Sequence, residues 1–292
     1  MNFGARVRFC RWQPAAVLRV SGEDALTFLQ GQFTQDLKSI ELGGAAYGLW
    51  LNQKGKVLAD SFVLRAEGGG WWLVSYFSAA TVIRERLESY IIADDVVIED
   101  EAEAWEGLVV VGEGAGDRLK GAAGLVWRGR RSGDATWEWL RPKGSAVPVS
   151  GAEEFSAEEL EKMRIEGGIP AVPRDVGPGD LPNEAGLEDV AVSYTKGCYL
   201  GQEVMARLKA MGQVRRRLVP VSGGSDGRGG VSALPAGLFH GEKRVGEVRS
   251  AVMVDGGWIG LAMVSLLGLE PGVRLSFSPS GAAEVSVEIS KS

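Results

Sequence analysis

The stretch Lys196-Gly197-Cys198-Tyr199-Leu200-Gly201-Gln202-Glu203 decides how this chain of 292 residues is read. A cysteine follows one glycine, precedes a tyrosine, and is separated by two residues from a second glycine that opens onto Gln-Glu. Upstream, residues 190–194 (VAVSY) alternate like a strand; downstream, VMARLKAM has the spacing of an amphipathic helix. The pattern predicts a strand-to-helix turn carrying Cys198. Glycines there let the backbone approach closely, and the free N–H groups of a helix start favour an anion or a thiolate. The same residues also fit a plain structural turn with a small buried cysteine.

Outward from this stretch, further patterns recur in order. Val20-Ser21-Gly22-Glu23-Asp24-Ala25 runs into Phe28-Leu29-Gln30-Gly31-Gln32. Asn52-Gln53-Lys54-Gly55-Lys56 precedes Asp60. Arg164-Ile165-Glu166-Gly167-Gly168-Ile169-Pro170 ends a helix, and Leu181-Pro182-Asn183-Glu184-Ala185-Gly186-Leu187 leads into the cysteine motif. Together they resemble the YgfZ family, folate-binding relatives of the glycine cleavage system T-protein that are linked to maturation or repair of iron–sulfur enzymes. The resemblance covers most of residues 17 to 217. It implies ferredoxin-like α+β units of the T-protein type followed by a small C-terminal β-barrel, arranged around a central opening.

Composition agrees. The chain is 45% hydrophobic and 24% charged, ordinary for a globular protein and long enough for two or three packed units. A net charge of −6 argues against a general nucleic-acid binder. No apolar run reaches the roughly 20 residues needed to span a bilayer, so no membrane partner is expected. Two cysteines and one histidine, His240, are too few for a self-contained zinc site, and no bound metal is expected. Reduced thiols at Cys10 and Cys198 fit a reducing compartment. Arg6, Arg8, Arg11 and Arg19 precede the first acid, Glu23, a bias found in mitochondrial leaders. Residues 16–20 already read as a strand, however, and a cytoplasmic monomer is expected.

Residues 1–100 read as a first α+β unit, completed by 156–217, which carry the cysteine motif. Residues 101–155 read as a second unit and 218–292 as the barrel. Ser21 is expected to cap a first helix, and Ser156 with Glu159 to form a capping box. Gly112-Glu113-x-Ala115…Leu119 echoes Gly22-Glu23-x-Ala25…Leu29, which suggests two similar units. The same glycines do not fit a dinucleotide-binding fingerprint, because the third comes one place early. Residues 170–187 lack a period and read as an ordered loop or lid. Residues 222–230 (SGGSDGRGG) read as a flexible linker.

A pterin asks for a carboxylate, an apolar slot and basic groups near its glutamate tail. The resemblance assigns Glu166 to the pterin and Asp60 to the neighbourhood of the reactive folate nitrogen. Asn183 and Glu184 are expected either in the pocket wall or in turn chemistry. Lys196, Gly197, Tyr199, Gly201, Gln202, Glu203 and Arg207 frame Cys198, whose expected role is that of a functional thiol. The implied function is a tetrahydrofolate-binding accessory protein for iron–sulfur enzyme assembly or repair, with client or assembly proteins as partners. The alternatives are a folate-dependent aminomethyl- or methyltransferase and a non-catalytic scaffold.

Overall fold

The computed structural model describes residues 6–65, 69–145, 151–212, 214–224, 231 and 233–288. Strands β1 (Arg8–Trp12) and β2 (Ala16–Ser21) come first, then helix α1 (Ala25–Gln32) and strands β3 (Ala45–Leu51), β4 (Val57–Arg65) and β5 (Trp71–Ser75). Helix α2 (Ala80–Glu88), β6 (Val97–Asp100), β7 (Trp105–Val111), helix α3 (Ala115–Arg118), β8 (Leu125–Arg128), β9 (Thr136–Pro142) and β10 (Glu153–Glu154) follow. Helices α4 (Ala157–Glu166), α5 (Glu188–Ala191) and α6 (Gln202–Met211) lead to β11 (Arg216–Gly224), β12 (Ala236–His240), β13 (Lys243–Val254), β14 (Gly257–Ser265), β15 (Arg274–Leu275) and β16 (Val285–Val287).

The first sheet has the order β3-β4-β5-β2-β6. The four strands β4-β5-β2-β6 have the ferredoxin-like arrangement, with β3 added beside β4. Ala16, Leu18 and Val20 of β2 pack with α1 and α2, while Val17 faces Trp127 and Leu140 of the second sheet. A strand covered on both sides must be apolar nearly throughout, which is why AVLRV interrupts its run only at Arg19.

The second sheet, β10-β1-β7-β9-β8, repeats the plan. Gly22 and Gly112 end the corresponding strands β2 and β7 with φ of +113° and +104°, a conformation open to glycine at little cost. Ala25 and Ala115 then begin α1 and α3. The internal echo in the sequence is therefore a repeat of strand, glycine turn and helix. β1 comes from the N-terminus and pairs antiparallel along β7, placing Trp12 opposite Gly107. A Cβ at position 107 would stand 2.2 Å from the Trp12 ring, so only glycine fits there.

The third sheet runs β12-β13-β14-β11-β16-β15. Paired bonds between Phe239 and Ser276, 2.9 and 3.0 Å long, bring its ends together into a nearly closed six-stranded barrel. The glycine-rich stretch begins inside this barrel: Ser222 to Gly224 pair with Ile259 to Gly257 in β11. Gly223 lies under the Trp258 indole, where a Cβ would be 2.5 Å from Nε1, so this glycine serves packing. Residues 225–230 lie outside the described residues.

Three other expectations change. Ser21 lies in β2, and Asp24 precedes α1 with its carboxylate accepting from the Asp95 N–H at 2.9 Å. Ser156 caps α4 as expected, accepting from Glu159 N at 3.1 Å, but the Glu159 side chain turns to Arg8. The strand expected at residues 190–194 is instead helix α5 and a bend. Thr34 takes the backbone groups that a neighbouring strand would have used, since its hydroxyl donates to Ala191 O and its carbonyl accepts from Ser193 N.

The 170–187 loop is a staple and not a lid. Arg164 on α4, 2% exposed, donates to Asp175 Oδ2 at 2.8 Å, Ser250 Oγ at 3.0 Å and both Glu161 oxygens. Asp175 also accepts from Ala171 N and from the Ser250 hydroxyl of β13. Further along, Arg216 and Arg249 of the barrel converge on Asp180. Burial pushes the Asp180 carboxyl upward, but the Arg249 hydrogen bond and the Gly177 N–H outweigh it and hold it below the usual range. Asp175→Ala takes one of two carboxylates from the buried Arg164 guanidinium and leaves the buried Ala171 N–H without its acceptor, and it should cost about 3–5 kcal/mol of stability, whereas breaking the exposed Lys162–Glu166 pair should cost less than about 1 kcal/mol. Urea denaturation of the two variants measures this; equal losses would show that the staple does not fix the fold.

Candidate functional site

The cysteine motif is braced from behind. Lys196 is buried, and its ammonium donates to the carbonyls of Gln30, Phe33 and Gln35 at 2.7, 2.7 and 2.9 Å. Burial pushes its pKa down to about 8, yet three acceptors ask for three N–H donors, which only the ammonium supplies. Leu200 N donates to Gly31 O, so FLQGQ and KGCYLGQE are joined by main-chain and side-chain bonds. Gly201 starts α6 with φ of +90°, 3.0 Å from Asn52 O by its would-be Cβ, and Gly55 sits equally close to Val204. The Asn52 hairpin, α1 and α6 thus hold one another. Tyr199 is buried, Gln202 is half-buried, and Gly197, Cys198, Glu203 and Arg207 are exposed. Cys198 and Cys10 are both free thiols; Cys10 is buried, which pushes its pKa up.

Asp60 is 4% exposed and fully engaged. Its Oδ1 accepts from Ser75 at 3.0 Å and Ser78 at 2.7 Å, and its Oδ2 from Tyr47 at 2.9 Å. Burial raises its pKa, against the pull of those three hydroxyls. Ser78 also lies 3.0 Å from Val172 O, so this cluster touches the staple. Glu166 is 53% exposed in its side chain and pairs with Lys162 at 3.7 Å. It does not meet Asp60. Glu184 turns to Arg216 at 3.0 and 2.9 Å and accepts from Leu181 N, while Asn183 faces a different cavity.

Beside the Asp60 cluster lies a cavity of about 400 Å³ that sequence reasoning missed. Trp12, Tyr76 and Phe77 wall it on one side, and Glu161 and Arg164 of α4 on the other. Arg131 closes it, its guanidinium carbon 3.6 Å from the Tyr76 ring centroid and 4.4 Å from that of Trp12. Arg131 Nε stands 3.4 Å from Glu138 Oε1 and, with Trp12, faces this carboxylate, while Arg131 Nη2 has no protein acceptor. Tyr76 donates to the same Glu138 oxygen at 3.0 Å. Burial raises Glu138, with Arg131 opposing. Glu161 and Arg164 share the face of α4 turned to this cavity; Glu166, two residues after Arg164, falls about 200° around the helix, on the other side. The signal available in sequence was an acid, Glu138, flanked by two tryptophans inside strand β9.

Residues 7–127 match the model of the GCVT N-terminal domain. The chain is 32% identical over 238 residues to the mitochondrial iron–sulfur cluster assembly factor IBA57 of Homo sapiens, covering 75% of this chain and 67% of that protein. The chain belongs to the IBA57 and YgfZ family. It is also 29% identical to the tRNA-modifying protein YgfZ of Edwardsiella ictaluri, over 82% of this chain and 76% of that one. The aminomethyltransferase T of the glycine cleavage system from Bartonella henselae shares the fold, with a TM-score of 0.79 at 18% identity, over 98% of this chain and 86% of that one. Among the described residues no group of three or more His, Cys, Asp or Glu side chains is placed to hold a metal ion, and no helix is long and apolar enough to cross a membrane.

In this IBA57/YgfZ-type chain the lysine brace is the feature that fixes the cysteine motif. Lys196→Met should cost about 1–3 kcal/mol, because three buried carbonyls lose their donor. It should also speed hydrogen exchange at the Leu200 amide. An unchanged urea midpoint together with unchanged exchange would mean that water replaces the ammonium.

Proposed function

We propose that this protein binds tetrahydrofolate or a derivative and supports the assembly or repair of iron–sulfur enzymes. The observation that carries the reading is the Arg131 cavity. Its volume falls within the range of small-molecule sites, and a wall of aromatic rings beside a buried cation whose Nη2 has no protein acceptor suits a flat ring bearing electron-rich oxygens. Trp12, Tyr76 and Phe77 would flank the ligand and Arg131 would donate to it. A bound reduced folate would supply a one-carbon carrier. The chain's own residues bind and orient it and keep water out.

Membership of the IBA57 and YgfZ family supports the iron–sulfur assignment, since the human and mouse relatives are named as assembly factors. The exposed Cys198, braced on rigid elements, suits contact with a client or assembly protein. A transferase is less favoured: both Asp60 oxygens are already occupied by hydroxyls, which leaves this carboxylate poorly placed to take a proton from a substrate.

Calorimetry with a reduced folate should give micromolar-class affinity, about −8 kcal/mol. Arg131→Met and Phe77→Ala should each weaken it at least about tenfold, near 1.4 kcal/mol. Glu166→Ala tests the role that the family resemblance gives that carboxylate: a comparable loss brings Glu166 into the site, and an unchanged affinity leaves it outside. No binding by the wild type, or full binding by both cavity variants, would refute this reading.

A further inference from the structure

The internal repeat gives the first two sheets one plan, in which β2, β5 and β4 of the first correspond to β7, β9 and β8 of the second. In the first sheet the outer edge of β4 is taken by β3, which pairs antiparallel along Ala45–Leu51. In the second, β8 ends the sheet, and among the described residues no strand pairs with its outer edge. The chain leaves no room for one there. Residues 33–56 separate α1 from β4 and include β3, whereas only residues 119–124 separate α3 from β8.

The phase of the β8–β9 pairing decides which groups are left over. Leu125 and Trp127 stand opposite Leu140 and Glu138, and Gly129 N donates to Thr136 O at 2.9 Å, so residues 125, 127 and 129 turn their N–H and C=O groups toward β9. Val126 and Arg128 turn theirs outward, where none meets a partner among the described residues. A cavity of about 1010 Å³ opens along this edge. Leu125 lines one side of it with Trp72 and Trp105, and Val126 lines the other with Leu119 and Trp137. Successive residues of a strand point to opposite faces, so the cavity flanks the edge above and below. All three indoles are half-buried, with apolar surface left to cover. Arg128 is exposed at the end of β8, its guanidinium carbon 5.8 Å from the Trp137 centroid, and it has no carboxylate partner among the described residues.

We propose that the outer edge of β8 binds an extended segment of a partner protein, which adds to the second sheet as β3 adds to the first. The outward N–H and C=O groups of Val126 and Arg128 supply the main-chain bonds, and alternate side chains of the segment enter the two halves of the cavity. Both halves are apolar, so the segment carries apolar or aromatic residues at consecutive positions, with an acidic residue to meet Arg128. A second copy of β8 (LVWR) brings no acid to this edge. The site shares no lining residue with the Arg131 cavity and does not rest on the folate reading.

The full chain would be titrated with a capped heptapeptide of valine, tyrosine and tryptophan flanked by glutamates. The controls are the same peptide N-methylated at its central amides, which cannot pair as a strand, and one flanked by lysines. The glutamate peptide should bind with Kd below about 1 mM and slow hydrogen exchange at the Val126 and Arg128 amides at least about tenfold. Both controls should bind at least about tenfold more weakly. Val126→Pro removes one outward N–H and none of the bonds to β9, and should weaken the glutamate peptide at least about tenfold. Arg128→Glu should reverse the preference between the glutamate and lysine peptides, and it decides the matter should the proline variant melt early. Absence of binding, equal binding by the N-methylated peptide, unchanged exchange at both amides, or full binding by both variants would overturn the proposal. So would protection of both amides by self-association without peptide, which would give the edge to a second copy of the chain.

Discussion

The buried pair between Arg164 and Asp175 is the constraint on which the arrangement of this molecule depends. Two opposite charges withdrawn from water are stable only when each hydrogen-bonding position is filled, and here Glu161, Ser250, Ile169 O and Ala171 N fill them. The partners come from helix α4, from the 170–187 loop and from barrel strand β13. No one of these elements can shift without stranding a charge. The loop, with only the short 3₁₀ turn Pro182–Ala185 as regular structure, is ordered by two buried aspartates and three arginines. Through Val57 N and Val172 O it also touches the first sheet next to Asp60.

Asp60, Lys196 and Arg164 are charged groups withdrawn from water. Each proves to be saturated by its own protein, and so each reads as structure. Arg131 differs: its Nη2 is withdrawn from water without a protein acceptor, and it stands beside a cavity.

Much of the architecture was legible because local signals agree with the global fold. The glycine turns at Gly22 and Gly112, the Ser156 cap and the Asn52 hairpin depend on neighbours in sequence. The α+β units and the barrel follow from them. What stayed hidden was long-range. Nothing near Arg8 to Trp12 announces that β1 pairs with β7, and nothing near residues 190–194 announces that Thr34 takes their strand bonds. The barrel strand β11 was masked by glycines that are there for the Trp258 ring. The site was legible only in part: the family motifs pointed to Asp60 and Glu166, whereas nothing in the residues around Arg131 marked it as part of a cavity. Its meaning depends on Trp12 of β1 and on Tyr76 and Phe77 just after β5, rings that only the folded chain brings near.

The most direct measurement is a crystal structure of the chain soaked with a reduced folate. The account predicts ligand density against Trp12, Tyr76 and Phe77, with an oxygen within about 3 Å of Arg131 Nη2 or Nε and the Asp60 cluster undisturbed. Density centred on Glu166, with Arg131 Nη2 still without an acceptor, would contradict it.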